Sequence, residues 1–80
     1  MKEYHLFSKS MYNNKAQIKK AFELRIKHWD CYISFEDAMR SINLLNLNPE
    51  KYMMAECMVE KNDVIVERIY WNLKKYMVLL

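Results

Sequence analysis

The sequence predicts an α+β domain: a small antiparallel β-sheet with two α-helices packed on one of its faces. Three observations lead there. Two segments, about residues 13–29 and 34–46, repeat apolar side chains at the period of a helix. Two later runs, about 51–60 and 64–71, are rich in strand-forming residues and pair in a coherent register. The chain also contains no glycine, where average usage gives roughly five or six. Asn, which tolerates the left-handed backbone region best among the other residues, must take over at turns and helix ends.

Taken in order, Glu3-Tyr4-His5-Leu6-Phe7-Ser8 is short and β-prone. Asn13 or Asn14 caps a helix that runs to about Trp29. Ile18, Ala21, Phe22, Ile26 and Trp29 share one side of it. Lys19, Lys20, Glu23, Lys27 and Asp30 share the other, and Arg25 falls within the apolar arc. Ser34-Phe35-Glu36-Asp37 opens the second helix, because a serine hydroxyl can accept from the exposed amides and the acids meet the positive end of the helix dipole. Phe35, Ala38, Met39, Ile42 and Leu45 form its stripe. Asn46 or Asn48 ends it, and Pro49 bars continuation.

Residues 49–72 read as a hairpin with Lys61-Asn62-Asp63 as its loop. That register sets Val59 against Ile65, Ala55 against Ile69 and Met53 against Trp71, and on the other side Glu56 against Arg68 as an ion pair. The rival reading is an all-α four-helix bundle. In it Asn48-Pro49-Glu50 starts a third helix, and Val66, Ile69, Tyr70, Leu73, Tyr76, Met77 and Leu80 form a helical stripe. The β-branched and aromatic runs Val64-Ile65-Val66 and Ile69-Tyr70-Trp71 favour the hairpin. The tail from Tyr76 to Leu80 is apolar to its end, which predicts docking as a last strand or against another subunit.

Residues 1–80 are read as a single domain. Of these, 52% are apolar, including seven Met, six Tyr and two Trp. A chain this small buries little more than ~60% of its unfolded surface, so part of that apolar surplus is available to a partner. Net charge is +3, divided among a basic first third, an acidic middle and a basic end, a distribution that can steer a partner or support self-association. Two cysteines, Cys31 and Cys57, are too few for a disulfide scaffold and suggest thiols in a cytoplasmic protein. No signal segment or membrane-length apolar run is read. The abundance of Lys, Asn, Ile and Tyr suggests an AT-rich genome and an accessory protein of a phage or mobile element.

Chemistry is excluded more readily than assigned. Without glycine the phosphate-binding loop, the dinucleotide fingerprint, the kinase glycine loop and the nucleophile elbow are all ruled out. His5, His28, Cys31 and Cys57 are the nitrogen and sulfur ligands. Only His28-x-x-Cys31 has chelate spacing, whereas structural zinc sites generally bring two close pairs, so neither metal nor cofactor is expected. The same four residues offer no thiol–base pair with an assignable orienting group. Glu36-Asp37 is explained by capping, and Glu56 and Glu60 read as a solvated side, so no enzyme is expected.

Two binding surfaces remain. With both helices on one face, the other sheet face would expose Met54, Met58, Val66 and Tyr70, continued by Tyr76, Met77 and Leu79 of the tail. That patch predicts a protein partner of unknown identity or a homo-oligomer, as in an inhibitor of a host or defence protein. The alternative is RNA or single-stranded DNA held by Lys15, Lys19, Lys20 and Lys27, with Tyr12 stacking on a base. Glu23 and Asp30 on the same side, and the scarcity of Arg, count against it.

Overall fold

A computed structural model describes residues 1–23, 31–61 and 63–79, the side chains of 78 and 79 excepted. The chain runs β1 (Lys2–Ser8), α1 (Lys15–Glu23), β2 (Cys31–Tyr32), α2 (Phe35–Leu44), a 3₁₀ turn (Pro49–Lys51), β3 (Tyr52–Glu60), β4 (Asp63–Tyr70) and a 3₁₀ segment (Leu73–Leu79). The strands form one antiparallel sheet in the order β2-β1-β3-β4. The α+β class holds, and the four-helix bundle is excluded.

The helix ends follow the local signals. Asn14 accepts from the Gln17 amide at 2.9 Å and so caps α1, while the Gln17 side chain accepts from the Asn13 amide at 2.7 Å. Ser34 accepts from the Asp37 amide at 3.1 Å and caps α2. At the other end of α2, Asn46 has φ 55°. Its amide donates to Asn43 O at 3.1 Å and the Leu47 amide to Ile42 O at 2.9 Å. This is a Schellman motif in which Asn takes the left-handed position that glycine usually holds. Asn48 caps the next turn instead, accepting from the Glu50 amide at 3.0 Å. The Asn-Pro-Glu start read for a third helix is thus real but lasts a single 3₁₀ turn.

The hairpin strands fall within a residue of expectation, but the loop differs. Glu60 pairs with Asp63, leaving Lys61 and Asn62 between them, and Lys61 has φ 42°. Between Glu56 and Cys57 the register shifts by one, with Glu67 the extra residue on β4. Beyond this bulge the predicted pairs Ala55–Ile69 and Glu56–Arg68 are restored. The bulge resolves a conflict in the sequence. Val64, Val66 and Ile69 all pack against the α1 side, although Val66 and Ile69 are three apart and would face opposite ways in a regular strand.

The helices do not share one face. α1 sends Ile18 and Ala21 onto Phe7, Met53, Ala55, Cys57 and Val66. α2 sends Ala38, Met39 and Ile42 onto Leu6 and Met54, where Leu73 of the C-terminal segment joins them. Leu6 and Phe7 are adjacent in one strand and Met53 and Met54 in another, so each pair supplies both faces. The sheet is the middle of three layers. Ile26, Trp29, Arg25, Lys27, Asp30 and His28 lie outside the described residues.

Candidate functional site: an aromatic and basic cleft

The C-terminal end of β4 borders a concavity. Tyr70 closes the strand, and Leu73, fully buried, fastens the following segment to the sheet. Glu50 accepts from Lys74 Nζ at 3.1 Å and ties that segment to the 3₁₀ turn. The chain between these anchors bends round a cleft of about 430 Å³ lined by Arg68, Ile69, Tyr70, Trp71, Asn72, Lys75 and Tyr76. Its volume lies within the range of small-ligand pockets.

Aromatic packing supports the cleft from below. Phe35, at the start of α2, meets Tyr70 at 5.1 Å and Tyr76 at 5.4 Å between ring centroids, and Tyr70 meets Tyr76 at 5.6 Å. Tyr4 meets Phe35 edge-on at 6.2 Å. Each of these rings packs against at least one other. Two cations lie over them: Arg68 at 5.7 Å from the Tyr70 ring and Lys75 at 5.3 Å from that of Tyr76. Trp71 is 40% exposed on the rim.

Behind the rings, Glu56 gathers the polar groups. Lys2 Nζ lies 3.9 Å from it, and the Tyr70 hydroxyl donates to it at 3.5 Å. Burial, together with a hydrogen bond to Glu56, pushes the Tyr4 phenol up to about 12. Arg68 donates to the Tyr70 hydroxyl at 3.4 Å. The cross-strand pair Glu56 and Arg68 is thus linked through the Tyr70 hydroxyl.

The expected partner face is corrected here. Met54 is fully buried beneath α2 and the C-terminal segment, and Val66 is 4% exposed on the opposite, α1 face. Met58 is half-buried at the hairpin end of the α2 face. The open sheet face does not exist, because each face carries its own cover. Tyr70 and Tyr76 come together at the cleft, and Met77 packs on the α2 core. Leu79 lies in the 3₁₀ segment, its side chain outside the described residues. Tyr76 and Met77 thus dock on the core, within a 3₁₀ segment rather than a strand. Arg68, Trp71, Asn72 and Lys75 complete the cleft and were missed. Their signal was a cluster of aromatic and basic residues just where the strand ends.

On α1, Lys15, Lys19 and Lys20 are exposed, and Lys27 lies outside the described residues. Tyr12 is buried, its ring 5.0 Å edge-on from Phe7. It belongs to the core and has no face to offer a base.

A second group lies on the α1 face at the β2 edge. His5 Nε2 and Cys31 Sγ both approach Glu3 Oε1, at 3.0 and 3.4 Å. Burial holds the His5 imidazole below its ordinary pKa, outweighing the opposing pull of Glu3. Cys57 is fully buried opposite Glu3, and burial pushes its thiol up to about 12.

Comparison with protein-family models, curated proteins and solved structures finds no match to this chain. Among the described residues, no helix is long and apolar enough to cross a membrane.

Proposed function

We propose that this protein is a non-enzymatic binding module that occupies the surface of another protein, as an inhibitor does, through the cleft at the end of β4. The observation that carries this reading is the convergence of Trp71, Tyr70, Tyr76 and Arg68 on one concavity. Trp, Tyr and Arg are the side chains that most often dominate binding energy at protein interfaces. Rings already fixed by Phe35 lose little conformational freedom on binding. Arg68 and Lys75 favour an acidic segment on the partner.

The test is co-purification of cellular partners with the wild-type chain and with Trp71→Ala and Arg68→Glu, both at exposed positions. The proposal expects one protein that is retained by the wild type and lost by both variants, with melting temperature unchanged. Retention of the same protein by both variants would refute it. The rival reading, RNA or single-stranded DNA on the lysines of α1, would instead give excess absorbance at 260 nm that is lost in high salt and in a Lys15, Lys19 and Lys20 to Gln variant.

A further inference from the structure

We propose that Glu3, His5 and Cys31 form a binding site for a single divalent transition-metal ion of the zinc type. Their ligand atoms all lie within 4.8 Å of one another. The backbone creates the group. Glu3 and His5 are two apart on β1 and point to the same face. Cys31 stands directly opposite His5 in the β1–β2 ladder. Phe22 of α1 meets the His5 ring edge-on at 5.0 Å and fixes its plane.

The spacings of His5 and Cys31 from Glu3 are near those of a tetrahedral ion. Zinc bonds of about 2.0 Å to nitrogen or oxygen and about 2.3 Å to sulfur set neighbouring ligands roughly 3.3–3.5 Å apart. His5 Nε2 lies 3.0 Å and Cys31 Sγ 3.4 Å from Glu3 Oε1. A metal would enter by side-chain shifts that bring the His5 and Cys31 ligand atoms, within 4.8 Å of each other, to tetrahedral spacing, replacing two hydrogen bonds with three coordinate bonds. The Cys31 proton leaves to solvent. The dication, thiolate, carboxylate and neutral imidazole then sum to zero charge, which suits a half-buried position. The nitrogen–sulfur–oxygen set selects against Mg²⁺ and Ca²⁺, which prefer oxygen alone. Cys31 is exposed on the edge strand and gives the ion its way in. Cys57 is set apart from this group. It flanks β1 on the other side, so its Cα is about 9.5 Å or more from that of Cys31, two strand spacings away. That is also too far for a disulfide.

The experiment is a cobalt(II) titration of the reduced full-length chain, followed by absorption. The proposal expects one equivalent bound, with tetrahedral d–d bands and a thiolate-to-cobalt charge-transfer band, both abolished by zinc. Cys31→Ser, an exposed edge position that leaves the core intact, removes the charge-transfer band and weakens binding by at least about tenfold. Glu3→Gln weakens it comparably, and Cys57→Ser leaves the spectrum unchanged. On the wild-type chain, zinc shifts the His5 imidazole resonances in a nitrogen-detected NMR spectrum. Weak octahedral absorption without charge transfer, or a tetrahedral spectrum that survives Cys31→Ser, would overturn the assignment.

Discussion

The two faces of the sheet are both sealed, but with different materials. The α1 face is closed by Ile18 and Ala21 over Phe7, Met53, Ala55 and Cys57, which interlock without hydroxyl groups except at Tyr12. The α2 face has a fully buried centre of Leu6, Ala38, Met39, Ile42, Met54 and Leu73, ringed by Tyr4, Tyr32, Tyr52, Tyr70 and Tyr76. Tyrosine buries its ring and keeps its hydroxyl near water. The α2 face therefore grades from core into the cleft without a break. The α1 face ends sharply in the Glu3, His5 and Cys31 group. One face is suited to recognition at its rim, and the other to stability with a ligand set at its edge.

The strongest way to break this comparison is to cut into each centre in turn. Met53→Ala and Met54→Ala should each cost about 2–5 kcal/mol in urea unfolding. A loss well under about 1 kcal/mol at Met54 alone would mean that the α2 face is open. Ser34→Ala removes the hydroxyl that accepts from the Asp37 amide and should cost about 1 kcal/mol. Because α2 seals only its own face, the Cys31 and His5 signals in an NMR spectrum should stay in place. Lys61→Gly relieves the positive φ at the hairpin turn and should stabilise by roughly 0.5–1 kcal/mol. No change would mean that the turn carries no strain. The smallest intervention is alkylation of the native thiols. Exposed Cys31 should react freely, and buried Cys57 only on unfolding. Equal rates would contradict the sealed α1 face.

Local signals were legible in the sequence. Ser34 and Asn46 mark the ends of α2 because capping needs only the few residues around them. The strands of the hairpin were placed within a residue. The side on which each helix packs was not read correctly. The adjacent apolar pairs Leu6-Phe7 and Met53-Met54 are the mark of strands buried on both faces. A one-sided sheet would have alternated apolar with polar residues there. The bulge was hidden because Glu67 is an ordinary strand residue until Val66 and Ile69 must face the same way. The Glu3, His5 and Cys31 group was half visible, in Glu3-x-His5. Cys31 joins it only through β2, whose two residues are too few to carry a periodic signal. The cleft depends on the C-terminal segment folding back as a 3₁₀ run, which the same residues disguised as a helical stripe.

The measurement that tests the three-layer arrangement most directly is a set of methyl NOEs in protein labelled at Met, Ile and Leu methyl groups. The arrangement predicts that the Met53 methyl contacts the α1 side, including Ile18, while the Met54 methyl contacts Ile42 and Leu73. If both methionine methyls, or neither, showed contacts to the same helix, the two helices would not lie on opposite faces and the account would be wrong.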